Sequence, residues 1–361
     1  MSSAATAAAT ESFLAGVLAA PELAREYPLV FDARFGGRTL ELVRDGAVRS
    51  ACAVLAREFH VAGRTLRAGL IGSVATDPAW RGQGLASELL AEAERALRAQ
   101  GCLFALLWAE HPDFYLTRGY APFAGEDDYL LVNELIPLLP EASGVRAFAP
   151  SDVPFLRRLH ARHAAHVERS EAEFAALLAI PGMRVLVRER AAAPGHPPLP
   201  VAYACLGRGR DLPDTIHDWA GETEDVLALV RAHLEQRFAP GETGALFLMA
   251  PPQASELGYR LLALGAVVRR GILGLGKILD TTAAARLFDE FVGGEVATVR
   301  PEGVTLRGPA SGAELDLDTL QALLFGGAEV RDEVRTFLQR LGFDGALPLP
   351  LEPFAFGLDS I

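Results

Sequence analysis

The sequence predicts an α+β protein of more than one domain, built from mixed, mostly antiparallel sheets flanked by helices. Three observations carry this. Two hairpins near the start join residues of alternating character at Asp45-Gly46 and Gly63-Arg64. An amphipathic stretch from about Leu85 to Gln100 precedes the almost wholly apolar run Cys102–Ala109, the pattern of a strand covered on both faces. The same order of elements then recurs roughly between Val145 and Leu279. At 361 residues there is material for two or three domains.

After an alanine-rich helical start, strands are expected at Thr39–Arg44, Val48 to about Val61 and Leu66–Thr76. In the helix that follows, Leu85, Leu89, Ala93 and Leu97 form one stripe, with Glu88, Glu92 and Glu94 largely off it, and Gly101 stops it. A short helix at Pro112–Arg118 and a strand at Tyr129–Asn133 close a first domain, 1–142. A second, 143–280, reads as a helix at Asp152–Glu168, a strand at Arg184–Arg188, a Pro/Gly-rich hairpin loop at Ala191–Pro200 and a strand at Val201–Leu206. It continues with a helix at Thr223–Phe238, a strand at Ala245–Met249, a helix near Ser255–Leu264 and a strand at Ile272–Leu279. A small third domain, 281–361, carries two short strands around Gly303, a helix at Asp318–Leu324 and an apolar, proline-rich tail.

Half of the residues are hydrophobic and 22% charged, which excludes a disordered chain. The net charge of −12 argues against nucleic acid and anionic membranes as partners and favours a cationic one, such as an amine. Residues 281–361 hold 13 acidic and 6 basic side chains, so most of that charge sits there. Lys277 is the only lysine, a bias of composition from which no function is read. Three cysteines far apart give neither a disulfide framework nor a metal knuckle and fit buried thiols in a reducing cytosol. Without a basic leader in Met1–Thr10 or an apolar run of membrane-spanning length, a soluble, cytoplasmic protein is expected, with room for a homo-oligomer.

The segment that carries chemistry is Ser73-Val74-Ala75-Thr76-Asp77-Pro78-Ala79-Trp80-Arg81-Gly82-Gln83-Gly84-Leu85-Ala86. A strand ends at Thr76 and a helix starts by about Leu85. Glycines between them let successive backbone N–H groups converge, and the helix N-terminus adds positive potential. The product is an anion cradle suited to a pyrophosphate, to which Arg81 can add a charge-assisted contact. It lacks the Lys-Ser/Thr of a nucleotide P-loop and the glycine spacing of a dinucleotide site. On its own the segment also fits a plain glycine turn before a helix.

These residues resemble the GNAT superfamily of acyl-CoA-dependent N-acyltransferases. Arg81, Gly84 and Ala86 match its Arg/Gln-x-x-Gly-x-Gly/Ala signature, Val74-x-Thr76-x-Pro78 its splayed central strand, and Tyr115-Leu116-Thr117-Arg118-Gly119-Tyr120 its later Tyr-x-x-x-Gly-Phe/Tyr motif. The resemblance implies that the amides of Arg81, Gly82, Gln83, Gly84, Leu85 and Ala86 hold the pyrophosphate of acetyl-CoA, the acyl donor. The backbone of Val74, Ala75 and Thr76 would pair with the pantetheine. The whole layout is similar to the enhanced-intracellular-survival type: tandem GNAT folds followed by a piece like a sterol carrier protein, with Leu315–Gly326 similar to the end of such a piece. The second domain has no such loop; its equivalent, Asp218–Glu222, carries two acids where phosphates would sit.

Acyl transfer to an amine needs a base for an ammonium of pKa near 10.4, an oxyanion donor and a proton for the departing thiolate. Val74–Thr76 can give the oxyanion a backbone N–H. The resemblance makes Tyr115 the general acid, against the alternative that it packs with Phe114 in the core. It makes the C-terminal carboxylate of Ile361 the base, delivered by the tail Phe354–Leu358, with Glu110 and His111 as local alternatives. His160, His163 and His166 recur every third residue of one expected helix but spread over too wide an arc for a metal, so a half-exposed face is expected and no metal. Cys102 is expected as a core thiol. The implied function is an acetyl-CoA-dependent N-acetyltransferase acting on a primary amine of a cationic small molecule or peptide lysine, in a ternary complex. The alternative is a non-catalytic protein that binds acyl-CoA or a hydrophobic ligand.

Overall fold

The computed structural model describes residues 3–191, 196–239, 242–252, 255–343 and 347–361; part of the loop expected at Ala191–Pro200 lies outside them. The chain starts with helices α1 (Ser3–Val17), α2 (Leu23–Glu26) and α3 (Pro28–Phe31). Strands β1 (Arg38–Arg44), β2 (Ala47–Val61) and β3 (Arg64–Thr76) follow as two hairpins, the second turning at Ala62-Gly63, one residue before the expected Gly63-Arg64, because Arg64 already pairs with Val61. Positive φ at Asp45-Gly46 and Ala62-Gly63 gives each turn the twist its strands need. Next come α4 (Leu85–Ala99), β4 (Phe104–Leu107), α5 (Pro112–Leu116) and β5 (Ala121–Phe123). Leu85, Leu89, Ala93 and Leu97 of α4 are buried with Cys52, Val54 and Ile71, while Ala51 and Ala75 turn the other way to Leu14 and Leu23. Successive strand residues thus serve helices on opposite faces of the sheet.

The chain goes on through β6 (Glu126–Val132), β7 (Val145–Ala147), α6 (Val153–His160), β8 (His166–Val167), α7 (Glu171–Leu178), β9 (Arg184–Arg190) and β10 (Leu199–Leu206). It continues with β11 (Thr215–Gly221), α8 (Thr223–Arg237), β12 (Ala245–Ala250), α9 (Glu256–Ala263) and β13 (Val267–Gly271). Last are β14 (Gly274–Ile278), α10 (Thr281–Val292), β15 (Ala297–Arg300), β16 (Gly303–Arg307), β17 (Gly312–Asp316), α11 (Leu317–Phe325) and α12 (Arg331–Leu341). The strands form sheets in the orders β1-β2-β3-β4-β14-β5, β13-β6-β12-β11-β10-β9-β7 and β15-β16-β17. Parallel neighbours occur at β3–β4 and β11–β12, each pair joined through a helix. The fold class is therefore the expected one: mixed, mostly antiparallel sheets flanked by helices.

The chain divides differently from 1–142, 143–280 and 281–361. One compact unit comprises 1–125, 272–354 and 360–361, and the other 126–271 and 355–359. The strand expected to close the first domain at Tyr129–Asn133 is β6, which lies between β12 and β13 of the second sheet. The run Ile272–Leu279, expected in the second domain, supplies β14 to the first sheet, between β4 and β5. Its glycines make the slot: a Cβ at Gly276 would strike the ring of Phe123, and one at Gly274 the carbonyl of Leu107.

Other expectations fail locally in the second unit. The helix expected to reach Glu168 ends at His160, whose imidazole bonds the carbonyl of Val167 at 3.1 Å. The three histidines therefore share no helix face, and His160 and His166 are buried. Burial, with Arg169 next in effect, keeps His160 well below the usual imidazole range. Asp218–Gly221, taken as a loop, belongs to the buried strand β11, leaving Glu222 alone between β11 and α8. Asp218 there accepts from Tyr203 Oη (2.6 Å) and pairs with the fully buried Arg169 (2.7 Å). Arg169 also holds Asp359 of the tail, at 2.7 Å.

Candidate active site

The central strand of the first unit opens toward its C-terminal end. β3 pairs with β4 only from Ala68 to Leu70. On its other side the ladder with β2 shifts register: Gly72 faces Ala53 and Ala75 faces Ala51, so Ser73 and Val74 stand opposite Cys52 alone. Ser73 takes positive φ in this bulge. The extra residue turns the strand, and Val74–Thr76 run on without β4. Ala75 is buried; Val74 and Thr76 are half-buried, and the Thr76 hydroxyl lies 2.9 Å from Ser50 Oγ.

The loop is fixed from behind. Asp77 caps the turn Pro78–Trp80 by accepting from Ala79 N (3.0 Å) and pairs with Arg49 at 2.7 Å. The amide of Ala79, then Arg49, hold its carboxyl below the usual carboxylate range. Arg49 also lies over the Trp80 ring, 5.0 Å from its centroid. Arg81, Gly82, Gln83 and Gly84 are exposed, and Gly82 and Gly84 both take positive φ, 76° and 83°. A Cβ at either would meet nothing within 4 Å, so these glycines answer to backbone conformation and leave open space over the loop. Gly84 is the N-cap of α4, and the amides of Leu85 and Ala86 precede any intrahelical acceptor. Arg81 Nε donates to the carbonyl of Thr76 at 3.3 Å. An exposed glycine loop, a helix N-terminus and an exposed cation fit an anionic pyrophosphate.

Tyr115 lies in α5 and packs, with Val74, Trp80 and Phe114, against the core cluster of α4. Its ring is 5.0 Å from Phe114 and 5.9 Å from Tyr120, and burial pushes its hydroxyl above the usual phenol range. It is half-buried, so packing does not withdraw it from the site. Tyr120 is a core aromatic. Ile361 lies against β3 at the opening: a Cβ on Gly72 would strike its main-chain carbonyl. Thus Val74, the Arg81–Ala86 loop, Tyr115 and Ile361 all belong to the unit in which β3 opens. Glu110 and His111 are exposed, beyond β4 and at the start of α5. Cys102 is buried and burial pushes its thiol up to about 11.

Sequence reasoning passed over two groups here. Arg49 offered no local signal, since it reaches Asp77 across a hairpin. Lys277 did offer one, as the single lysine, but composition bias absorbed it. Its ammonium donates to both carboxylate oxygens of Glu94, at 3.0 and 2.9 Å, and to the carbonyl of Arg118, at 2.9 Å. Glu94, expected largely off the helix stripe, is buried by that pairing.

Residues 12–123 match the family model described as acetyltransferase (GNAT) domain. Over 96 residues the chain is 33% identical to the aminoglycoside 2'-N-acetyltransferase of Mycolicibacterium fortuitum, covering 26% of this chain and 49% of that protein. The chain thus spans about half the length of this curated relative. Among solved structures, it resembles a conserved protein of unknown function from Enterococcus faecalis V583, described as a probable N-acyltransferase (TM-score 0.69, 14% identity, 98% and 97% of the two chains). It also resembles a GCN5-related N-acetyltransferase from Anabaena variabilis ATCC 29413 (0.65, 12%, 98% and 96%). Eis1 from Mycobacterium abscessus is a third (0.55, 15%, 98% and 97%). At such identities these structures share a fold with the chain. The sequence likeness to GNAT acetyltransferases is carried by residues 12–123, the span that holds the opened strand, the glycine loop and Tyr115.

Proposed function

We propose that this chain is an acetyl-CoA-dependent N-acetyltransferase that passes an acyl group to a primary amine by direct attack in a ternary complex. The observation that carries the reading is the opened strand leading into an exposed left-handed glycine loop at a helix N-terminus. Acetyl-CoA supplies a thioester whose C–S bond breaks as the amine adds to its carbonyl carbon. In this reading the amides of the 81–86 loop and the guanidinium of Arg81 bind the pyrophosphate, and Val74–Thr76 align the pantetheine and offer an N–H to the carbonyl oxygen. The carboxyl group of Ile361 takes the proton from the ammonium, with Glu110 the local alternative, and the Tyr115 hydroxyl gives one to the thiolate. The Tyr115 phenol is protonated at neutral pH, as a proton donor must be, and the likeness to an aminoglycoside acetyltransferase supports a cationic small molecule as acceptor.

The tandem arrangement belongs to the same proposal, supported by the matching crossovers β3–α4–β4 and β11–α8–β12. The three-stranded sheet with α10, α11 and α12 is the piece we liken to a sterol carrier protein. The test is thiol release from acetyl-CoA across aminoglycosides, other cationic amines and lysine peptides, beside calorimetry of CoA binding. Release with at least one acceptor class, lost in Tyr115→Phe, is expected. A blank panel with CoA bound would overturn the reading and leave a binding protein.

A further inference from the structure

The segment carrying Tyr115 is bolted to α4 by two cations. Arg118, lying 3.8 Å over the Phe114 ring, donates from Nε and Nη2 to Ser87 Oγ at 3.0 and 2.7 Å, in the first turn of α4. Two turns further along that helix, Glu94 holds Lys277. Lys277 reaches over from β14 to the carbonyl of Arg118, and the Tyr115 carbonyl in turn accepts from the amides of Arg118 (2.8 Å) and Tyr120 (3.3 Å). Gly119, at φ 79°, turns the chain between them, and a Cβ there would lie 3.6 Å from Lys277 Cε.

The choice of lysine is chemically specific. The ammonium spends its donors on two carboxylate oxygens and one carbonyl, and sits 5.5 Å from the Tyr120 centroid. The lysine converges three donors from one nitrogen, whereas a guanidinium, which the chain uses at each of its other lysine-or-arginine positions, spreads its donors in a plane. The lysine of the pair is only half-buried, so its worth to stability is small, and what the contacts fix is a geometry.

We propose that Lys277 is a positioning residue for Tyr115: clamped by Glu94, it holds the Arg118 carbonyl and so locks the turn that carries the tyrosine onto the helix that carries the phosphate loop. This rests on the reading of Tyr115 as proton donor. The test is a cycle of Lys277→Met in the native and Tyr115→Phe backgrounds, read as kcat for the best acceptor, with CoA affinity alongside. Loss of placement should lower kcat about tenfold or more in the native background, less than about twofold in Tyr115→Phe, with CoA affinity nearly unchanged.

A ligand-free readout accompanies it. In protein labelled at tyrosine Cζ, with the Tyr115 resonance assigned by its absence in Tyr115→Phe, Lys277→Met should move the titration midpoint down as water reaches the loosened ring. If Lys277→Met fails to fold, Glu94→Gln keeps the volume and should give a smaller loss that also vanishes in Tyr115→Phe. Equal losses in both backgrounds, or an unmoved Tyr115 resonance, overturn the positioning role and leave the proton donor standing. Full kcat in Tyr115→Phe alone overturns both.

Discussion

Gly72→Ala separates the candidate bases. Gly72 sits in β3 opposite Ala53, the last regular pair before the bulge, and its φ is not among the positive ones. Alanine is therefore free of backbone strain there, and the whole effect is steric. The new methyl would occupy the place of the Ile361 main-chain carbonyl and come within 3.0 Å of its Cγ1. β3 cannot retreat, since it is laddered to β2 on both sides of the site, from Arg64 to Thr76. Ser360 and Ile361, half-buried, must move instead, by about 2 Å to restore ordinary contact distance.

A shift of about 1 Å in a reacting group already costs on the order of 100-fold in rate, so kcat should fall by about that factor. Stability should change by only about 1 kcal/mol, the burial of part of one side chain. The assay is steady-state thiol release with CoA calorimetry and a melting curve on the same preparation. A kcat within about twofold of the native value, with Ile361 displaced, would refute the carboxyl group of Ile361 as base. Glu110→Gln would then become the informative variant. A CoA affinity that falls in step with kcat would show instead that β3 itself was distorted.

Arg81→Ala removes an exposed guanidinium that donates to the Thr76 carbonyl, so the fold should be unaffected. A lost charge-assisted contact predicts about a tenfold rise in KM for acetyl-CoA with kcat retained and a shallower salt dependence; an unchanged KM would rule Arg81 out of the phosphate site. His217, fully buried in β11, is pushed down to about 4, first by burial and then by Arg208 against the pull of Asp218. Its folded value lies below its unfolded one, so the stability of its neutral form is complete above about pH 6.5 and is lost as pH falls toward 4, by on the order of 3 kcal/mol. Urea midpoints measured from pH 7 to 4.5 should drop on that schedule and flatten in His217→Gln; an identical slope in both proteins would contradict it.

The hairpins, α4 and β4 were legible because their signals are local, whereas α2, α3 and β5 were not expected. Turn glycines fix the two hairpins, a 3.6-residue stripe marks α4, and an eight-residue apolar run marks β4 and its flanks. The glycine loop was legible for the same reason: its chemistry is that of consecutive amides. Side chains that act across the sheet were not. Glu94 reads as a solvated position on a helical wheel and is buried because a lysine 183 residues away meets it. Asp218 reads as a loop acid in the equivalent of the glycine loop, yet it lies inside a strand, where Arg169 and Tyr203 compensate its charge. The histidine spacing suggested one helix; burial of His160 against the Val167 carbonyl ended that helix first.

The assignment of strands to sheets marks a deeper limit. In each of the two large sheets the slot before one edge strand is filled by a strand distant in the chain, β14 beside β5 and β6 beside β13. Both strands were found in the sequence, and each was given to the wrong sheet. Periodicity reports which residues of a strand are covered, and says nothing of which neighbour covers them. Contiguity in sequence then decides by default, and here the default fails. The discriminating information lies in volume. Gly274 and Gly276 alternate along β14 so that it can pass between β4 and the Phe123 ring, whereas β6 buries the large side chains of Tyr129 and Leu131. The first sheet is completed only by a strand that follows residues 126–271 of the second unit in the chain, and that same strand carries Lys277 to the turn of Tyr115. On the proposed role of Lys277, the strand that closes the first sheet also supports the candidate active site.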